Sequence, residues 1–384
     1  MDGEKRERVL VAMSGGVDSS VAALLLRDAG YDATGVTMKL FDNEVAGAGG
    51  ACVVGESTCC SQSDVEDARQ VAFGLGLEHF TFNFTGTFGC EVIDRFCDAY
   101  LHGRTPNPCI ACNRYLKFAA LQRRRAQLGF DYVATGHYAR RAFNERTGRF
   151  ELRRGLDEAK DQSYVLYHLT QDDLAHMLFP LGELTKPQVR ELAEKHSFGN
   201  AHKAESQDIC FVPDGDYVSF IARYMGFEGD AARGDGKDST VPAAFEPGDI
   251  ADVDGKVLGR HNGLVHYTIG QRKGIGIAAP EPLYVVDKDA VENVLVVGPR
   301  SELGVREVRA GDVNLISVAA LDKPLRVMAK THYRQRAQAG EAVMEGDQLV
   351  VRFNEPVARP AAGQSLVVYD GDAVVGGGTI ETSE

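Results

Sequence analysis

A serine- and glycine-rich loop near the N-terminus limits the possible folds more than any other feature of this chain. The run Val9–Met13 is β-prone, residues 14–20 read Ser-Gly-Gly-Val-Asp-Ser-Ser, and Val21–Arg27 is helical in character with Gly30 as a stop signal. Backbone N–H groups and the positive end of the helix dipole form an anion site at such a junction. The sequence therefore predicts a strand–loop–helix unit that binds phosphate.

The loop matches neither of two common phosphate-binding patterns. It lacks the lysine of the Walker A motif, and it is not G-x-G-x-x-G. A P-loop enzyme that hydrolyses a γ-phosphate and a dinucleotide-dependent oxidoreductase are therefore both unsupported. A plain Gly-Gly turn with serine caps is the alternative interpretation.

Strand and helix signals alternate through the first third of the chain. The predicted strands are Thr34–Leu40, His79–Phe84 and Tyr132–Thr135. One helix is predicted to start at Ser63, where Ser63 and Glu66 have the spacing of a capping box. Two further helices are predicted at Cys90–Leu101 and Tyr115–Leu128. This alternation predicts an α/β fold with a doubly wound parallel sheet.

The pattern changes in the remainder of the chain. Two strand-like runs between 139 and 154 predict a hairpin inserted above the sheet, and Thr185 is the expected N-cap of a further helix. We predict three domains: residues 1–215 form the phosphate-binding domain, 216–290 a small connector, and 291–384 a C-terminal β-barrel.

Charge is unevenly distributed along the chain. The 384 residues carry 42 basic and 55 acidic side chains, a net charge of −13, yet Arg104–Arg154 contains twelve basic and three acidic residues. A second run, Lys323–Arg336, contains five basic residues and no acidic one. Local basic surface on an acidic protein is suited to a polyanion that docks in one place. The alternative interpretation is that these basic residues form ordinary solvated helix faces.

The N-terminus and the hydropathy of the chain indicate no membrane segment. The start is charged, and no apolar stretch reaches the roughly 18 residues that a membrane helix needs. We expect a cytoplasmic, unprocessed protein in which the eight cysteines are reduced and serve chemistry or metal binding.

The most prominent cysteines lie in Thr105-Pro-Asn-Pro-Cys109-Ile-Ala-Cys112-Asn113. The two prolines predict an extended, stiff loop without a helix. A C-x-x-C pair is consistent with half a zinc site, a redox pair or part of an iron–sulfur site. Cys210 is a third candidate, whereas the adjacent Cys59 and Cys60 have poor geometry for chelation.

Six motifs together establish a resemblance to a known family. In chain order they are SGGVDS, TPNPxxxCN, ATGHY at 134–138, KDQSY at 160–164, ESQDICF at 205–211 and HYTIGQRKG at 266–274. They resemble the bacterial tRNA 2-thiouridylases, which belong to the ATP pyrophosphatase (PP-loop) superfamily, and the match covers essentially the whole chain. The resemblance implies the adenine nucleotide alpha hydrolase-like fold and a tRNA-uridine 2-sulfurtransferase.

The implied reaction uses ATP and Mg²⁺. The 2-oxygen of the wobble uridine is adenylated, pyrophosphate is released, and sulfur then displaces AMP to give 2-thiouridine. On this resemblance Asp18 helps to hold Mg²⁺, and the ATP site consists of Ala12, Met13, Ser14, Gly15, Gly16, Val17, Asp18, Ser19, Met38 and Gly136.

The resemblance also implies roles for the thiols and for tRNA contacts. Cys210 receives sulfur as a persulfide, and Cys112 releases it by forming a disulfide with Cys210. Asn107, Pro108 and Cys109 meet the target base. The residues that contact tRNA are His137, Lys160, Asp161, Gln162, Tyr333, Arg334 and Gln364. The implied partners are the tRNAs for Lys, Glu and Gln, and a cysteine desulfurase or relay protein that donates sulfur.

Cys109 departs from the family pattern, because many relatives carry aspartate there. A thiol cannot act as the general base that a carboxylate supplies at pH 7. One hypothesis is that Cys109, Cys112 and Cys210 ligate a [4Fe–4S] cluster whose open iron binds sulfide in place of a persulfide relay.

Two other functions remain compatible with parts of the sequence. An amide-forming PP-loop synthetase explains SGGVDS and leaves the cysteines unexplained. A non-enzymatic metal- or RNA-binding module explains the C-x-x-C pair alone, and it would bind tRNA without releasing pyrophosphate.

Overall fold

The computed structural model describes residues 6–40, 62–203, 209–226 and 242–383. In the first half of the described chain the strands are β1 (Arg8–Ala12), β2 (Asp32–Lys39), β3 (His79–Asn83), β4 (Tyr132–Ala134), β5 (Ala139–Asn144), β6 (Arg149–Arg154) and β7 (Met177–Leu178). Five of these form a parallel sheet in the order β3-β2-β1-β4-β7. The predicted parallel α/β sheet is confirmed.

Helices flank this sheet and continue beyond it. Those described are α1 (Val17–Asp28), α2 (Gln62–Gly74), α3 (Thr85–Phe88), α4 (Arg95–Leu101), α5 (Pro108–Ala111), α6 (Leu121–Leu128), α7 (Gln171–Ala175), α8 (Lys186–Lys195) and α9 (Tyr217–Tyr224). Two π-helical segments, Gly89–Asp94 and Cys112–Ala120, join α3 to α4 and α5 to α6. Each pair is therefore one continuous helical stretch.

Alternating side chains of β1 pack on opposite faces of the sheet. Val9 and Val11 contact the cluster that contains Leu24 of α1 and Val71 of α2, whereas Leu10 belongs to a cluster on the other face. Because both faces are covered, β1 is apolar without interruption from Val9 to Val11. The sheet is doubly wound, as predicted.

Several predicted helix starts are wrong by a few residues. α1 begins at Val17 and not at Val21, because Gly16 already has extended N-cap geometry. α2 includes Gln62, so Ser63 lies inside the helix. The helix expected from Cys90 starts at Thr85. The Thr185 N-cap is confirmed, with a reciprocal Thr185–Gln188 capping box.

The extended loop predicted around Cys109 is also wrong. Asn107 is the N-cap of α5, and its Oδ1 accepts a hydrogen bond from the Cys109 N–H at 3.1 Å. Pro108 is the first helical residue, where the missing N–H of proline costs no intrahelical bond. Cys109 and Cys112 therefore lie on a helical stretch that continues to Leu128.

A second, mixed sheet follows the first domain. It consists of β8 (Gly248–Asp252), β9 (Val257–His261), β10 (Tyr284–Asp289) and β11 (Val294–Gly298), in the order β10-β11-β8-β9. Its buried residues include Ile250, Leu264 and Leu295. A boundary at 290/291 would separate β10 from its partner β11, so the pairing puts the end of this sheet at Gly298.

The C-terminal strands close into a barrel. They are β12 (Gly304–Leu315), β13 (Leu325–Lys330), β14 (Gln338–Glu345), β15 (Gln348–Ala358), β16 (Ser365–Asp370) and β17 (Ala373–Ser383). The pairing order β12-β15-β14-β13-β16-β17 returns to β12. The predicted barrel is confirmed. The hairpin β5–β6 is attached to it, because Arg153 pairs with Ala373 of β17.

The parallel sheet and the barrel share a hydrophobic cluster. Leu10 and Val133 of the sheet belong to the same buried cluster as Tyr164, Val367 and Tyr369. Among the residues that the structure describes, no helix is long and apolar enough to cross a membrane.

Candidate active site

The predicted phosphate loop lies at the carboxyl edge of the parallel sheet. Ala12 ends β1, Met38 is near the end of β2, and Gly136 follows β4 by two residues. Because these strands are parallel and adjacent, their carboxyl ends meet at one edge, where the chain order reverses between β1 and β4. The structure thus brings the predicted ATP-binding residues together.

Two glycines in this region are required by backbone geometry. Gly15 has φ +73°, in the left-handed region, and a Cβ there would collide with the carbonyl oxygen of Asp64. A Cβ on Gly136 would lie 2.8 Å from the backbone nitrogen of Ser19. The loop between β4 and β5 therefore packs directly against the first turn of α1.

Hydroxyl and amide side chains hold the phosphate loop in place. Ser19 Oγ accepts a hydrogen bond from the Ser14 N–H at 3.1 Å and donates to the Gly16 carbonyl at 3.0 Å. Ser20 Oγ also donates to the Gly16 carbonyl. Buried Asn200 donates through Nδ2 to the Gly15 carbonyl and to Ser20 Oγ, both at 2.9 Å. The loop is therefore preformed beside the first N–H groups of α1, which an α-helix leaves without intrahelical acceptors.

Asp18 is part of an ion-paired network. Lys186 Nζ donates to both carboxylate oxygens of Asp18, at 2.8 and 2.9 Å, and Tyr138 Oη donates to Oδ1 at 2.8 Å. The Lys186 side chain is only 9% exposed. The Lys186 ammonium group is therefore bonded directly to the phosphate loop through the Asp18 carboxylate. Sequence reasoning missed Lys186 and Asn200, because each comes from a distant segment without a local motif.

Cys112 and Cys210 share an apolar environment. Both are partly buried against one cluster, whose fully buried members include Phe88, Phe96 and Leu116. This cluster is hereafter the thiol cluster. Cys109 is exposed and is not a member of it. The structure thus places two of the three candidate thiols against a common surface.

The iron–sulfur hypothesis finds no support in the side-chain arrangement. In the described parts of the chain, no three His, Cys, Asp or Glu side chains are grouped so that they could hold a metal ion. Cys109, Cys112 and Cys210 all lie within those parts. Glu205 to Asp208 of the ESQDICF motif, and Cys59 and Cys60, lie outside the described residues.

Other thiols in the domain have structural environments. Cys97 is buried in the thiol cluster, and burial raises the pKa of its thiol to about 12. A thiol with so high a pKa is a poor nucleophile at neutral pH, because the thiolate is the reactive form. Cys97 is therefore a packing residue.

Three residues expected to contact tRNA are engaged within the protein. His137 is buried, its Nδ1 is 2.8 Å from Thr135 Oγ1, and burial lowers its pKa well below the usual value. Asp161 accepts hydrogen bonds from the backbone N–H groups of Gly155 and Ser163. Gln162 Oε1 accepts one from the Tyr138 N–H at 3.0 Å. Asp161 and Gln162 therefore hold the loop that carries the half-buried Lys160.

The other expected tRNA contacts lie on the barrel. The Tyr333 ring is 5.9 Å from the ring of Tyr164, and Arg334 is exposed. Gln364 Nε2 donates to the carbonyl of Thr105 at 2.9 Å. The barrel therefore contacts the segment that leads into Asn107, and the predicted base-contacting and barrel residues border the same interface.

Many arginines of the basic segment 104–154 are bound internally. Arg114 forms a bidentate ion pair with Asp312 of the barrel, and Arg140 Nη2 is 2.8 Å from Asp372 Oδ2. Arg149 donates to barrel carbonyl oxygens, and Arg153 pairs with Glu151. The segment therefore helps to connect the domains. Its net charge of +9, from twelve basic and three acidic residues, overstates the basic surface that is available to a polyanion.

Comparison with known families agrees with this arrangement. Family models match three regions: the tRNA methyl transferase HUP domain at 7–214, the tRNA methyl transferase PRC-barrel domain at 240–299, and the aminomethyltransferase beta-barrel domain at 305–380. The first of these covers the phosphate loop and both candidate catalytic thiols.

Full-length relatives decide the family. The tRNA-specific 2-thiouridylase MnmA of Carboxydothermus hydrogenoformans is 47% identical over 99% of this chain and 99% of its own. The relative MnmA 1 of Thermoanaerobacter sp. strain X514 is 47% identical over 98% of this chain and 99% of its own. The MnmA of Clostridioides difficile strain 630 is 44% identical with the same coverage. The chain belongs to the tRNA-specific 2-thiouridylase family. An amide-forming synthetase and a non-enzymatic module are therefore not favoured.

Proposed function

We propose that this chain is a tRNA 2-thiouridylase that activates the 2-oxygen of the wobble uridine with ATP and replaces it with sulfur. The observation that carries the proposal is one domain that contains both a preformed phosphate loop and two thiols on a common apolar cluster. A uracil oxygen is a poor leaving group, so a thiolation of this kind needs both activation and a sulfur nucleophile.

The activation step is assigned to the edge of the parallel sheet. The N–H groups at the start of α1 and the hydroxyl of Ser14 are positioned to bind phosphate oxygens, and Met38 lies on the next strand for the adenine. Mg²⁺, when bound with ATP, neutralises phosphate charge. Asp18 is the carboxylate assigned to it. In this step the uridine 2-oxygen forms a bond to the α-phosphorus, and pyrophosphate leaves.

The sulfur step is assigned to Cys210 and Cys112. A persulfide on Cys210 attacks C2, and AMP departs with the former 2-oxygen. The Cys112 thiolate then attacks Cys210 Sγ, so the persulfide S–S bond breaks, sulfur remains on the base, and a Cys112–Cys210 disulfide forms. A thiol reductant must reduce this disulfide before the next turnover. The shared thiol cluster supports the pairing of these two residues.

The tRNA contacts are assigned to the interface of catalytic domain and barrel. Asn107, Pro108 and Cys109 at the start of α5 are proposed to meet the extruded uridine. An anticodon loop presents this base unpaired, which reduces the cost of extrusion. Tyr333, Arg334 and Gln364, with Lys160 on the neighbouring loop, are proposed to bind the anticodon arm.

The partners follow from the chemistry and the family. We assign the tRNAs for Lys, Glu and Gln as substrates, and a cysteine desulfurase or a sulfur-relay protein as donor of the persulfide. We also propose that the enzyme works in the cytoplasm, where thiols are kept reduced. We assign the persulfide route over the [4Fe–4S] route, because the described residues contain no group of three His, Cys, Asp or Glu side chains placed to hold a metal ion.

Nucleoside mass spectrometry tests the proposal. Unmodified tRNA-Glu is incubated with the protein, ATP, Mg²⁺, cysteine and a cysteine desulfurase, and a matched reaction omits ATP. We expect 2-thiouridine only in the complete reaction. The absence of product with both aerobically purified and anaerobically iron-reconstituted protein would contradict the proposed function. Product from the reconstituted protein alone would contradict the persulfide route.

A further inference from the structure

The motif at 266–274 has no role in the site described so far. It reads His-Tyr-Thr-Ile-Gly-Gln-Arg-Lys-Gly and lies between β9 and β10 of the central sheet. Residues 268–274 of this motif are hereafter the QRK turn. Hydrogen bonds within the turn and to β10 hold its backbone.

Gln271 clamps the turn from within. Its Oε1 accepts a hydrogen bond from the Thr268 N–H at 3.0 Å, and its Nε2 donates to the Lys273 carbonyl at 2.9 Å. The Gly270 N–H donates to the Val285 carbonyl, and the Val285 N–H donates to the Gln271 carbonyl. The turn is therefore fixed to β10 at its centre.

Both ends of the turn are anchored as well. Buried Ile275 and partly buried Ile269 belong to the core of the central domain, and Lys288 Nζ donates to the Tyr267 carbonyl at 3.0 Å. Gly270 and Gly274 have φ of +84° and +81°, which favour glycine. The backbone is thereby held in one conformation.

The turn presents two adjacent cations to solvent. Arg272 and Lys273 are exposed, and neither forms an ion pair with any residue that the structure describes. This differs from the basic segment 104–154, where carboxylates of the protein itself neutralise Arg114 and Arg140. On a chain of net charge −13, two fixed adjacent cations without counter-charges are a local anion-binding feature.

The turn is connected to the thiol cluster through the residues that precede it. Val265 is buried in that cluster, and its carbonyl accepts a hydrogen bond from Tyr217 Oη at 3.2 Å. Tyr217 belongs to α9, which follows Cys210 by a few residues. The segment that leads into the two cations therefore starts at the thiol cluster.

We infer that the QRK turn is a preformed contact for the tRNA backbone, in which Arg272 and Lys273 bind phosphates outside the base-binding site. This inference rests on the proposed function, because it takes tRNA as the polyanion. Phosphate contacts orient an RNA without reading its sequence. The turn therefore contributes equally to all tRNA substrates and not to the choice among them.

The test measures tRNA affinity as a function of salt, with nucleotide-free protein. Arg272→Ala and Lys273→Ala should each reduce the slope of log Kd against log salt by about 1, because each loses one phosphate contact. The double variant should bind at least tenfold more weakly in dilute salt. Lys256→Ala, which removes an exposed lysine from the β8–β9 turn, is the matched control and should bind as wild type.

A variant that keeps both cations tests whether tRNA binding depends on the conformation of the turn as well as on its charge. Gln271→Ala removes the clamp and keeps both cations, so tRNA binding should weaken by several-fold. Wild-type affinity and slope in the double variant would overturn the inference. So would a double variant that binds tRNA normally but accepts sulfur more slowly from the desulfurase, since the turn would then contact the donor protein. Failure of the wild type to form 2-thiouridine would count against the function, whereas the binding assay reports on the turn independently.

Discussion

At the scale of single residues, the ion pair between Lys186 and Asp18 links α8 to the phosphate loop. A nearly buried ammonium group is costly unless it is paired and hydrogen-bonded. Here it is bonded to both oxygens of Asp18, and Tyr138 supports the same carboxylate. The pair therefore fixes the Asp18 side chain within the phosphate loop.

Replacing Lys186 by alanine should damage both stability and activation. We expect the free energy of unfolding to fall by about 2 kcal/mol, less than for a fully buried pair because Asp18 is 32% exposed. ATP-dependent pyrophosphate release should fall about 10- to 100-fold, because Asp18 would no longer be held in place and a small displacement of a group near the reacting atoms slows the reaction. Urea unfolding and a pyrophosphate assay measure these effects. Lys195→Ala, on the exposed face of the same helix, is the control. Normal pyrophosphate release by Lys186→Ala would refute the role.

His168 is a second residue with an unusual environment. It is buried between the rings of Phe118 and Tyr167, and neither ring nitrogen has a hydrogen-bond partner among the described residues. Burial lowers the pKa of His168 from 6.5 to about 3. Between these values the unfolded chain binds a proton that the folded chain does not. The folded state is therefore favoured at neutral pH and loses stability as the pH falls below about 6.5.

His168→Leu should flatten this acid dependence. Removing one such group reduces the slope of unfolding free energy against pH by up to about 1.4 kcal/mol per pH unit between pH 6 and 4. Urea unfolding at pH 7, 6, 5 and 4 measures the slope. His202→Gln, which alters an exposed histidine, should leave it unchanged. An unaltered slope in His168→Leu would mean that the buried ring is protonated in the folded protein.

At the scale of secondary structure, the start of α5 determines where two cysteines lie. Asn107 accepts the Cys109 N–H, Pro108 occupies the first helical position, and the π-helical segment begins at Cys112. Wider π-helical turns are often found at functional sites. The N-cap therefore sets the position of Cys112 relative to the thiol cluster.

Asn107→Ala and Asn107→Asp separate capping from base contact. Alanine should lower the free energy of unfolding by about 1 kcal/mol, because the cap is lost, whereas aspartate caps equally well. Thermal or urea unfolding measures the difference. If Asn107 also meets the uridine, thiolation should fall in both variants. Equal stability of the alanine and aspartate variants would contradict the capping role.

The sequence was most informative where structure is local. The alternation of apolar runs predicted the parallel sheet, and Ser14-Gly-Gly predicted the loop in which Gly15 adopts φ +73°. The helix at Cys109 was missed because the two prolines were weighed as helix breakers. Proline breaks a helix in its interior but favours its first position, and Asn107 was the overlooked capping signal.

Other features of the site depend on tertiary contacts that no local pattern records. Asn200 reaches the Gly15 carbonyl across 185 positions of sequence, and Lys186 reaches Asp18 across 168. The neutralisation of Arg114 by Asp312 likewise depends on barrel docking. The assigned roles of the cysteines and tRNA contacts came from family resemblance and remain predictions.

At the scale of the whole molecule, the catalytic domain and the barrel form one packed unit. Val367 and Tyr369 of the barrel are buried with Leu10 of the sheet, and the hairpin β5–β6 pairs with β17. Arg114 and Arg140 add ion pairs between the two domains. This connection holds the barrel residues Tyr333 and Gln364 in one packed unit with the start of α5.

We propose that activation and sulfur transfer are separate steps that use different residues of one domain. The most direct measurement follows pyrophosphate release and 2-thiouridine in one single-turnover reaction of Cys210→Ala, with Cys90→Ser as control. We expect pyrophosphate release and adenylated tRNA without 2-thiouridine in Cys210→Ala, and normal product in the control. Formation of 2-thiouridine by Cys210→Ala, or loss of its pyrophosphate release, would contradict the proposed separation of the two steps.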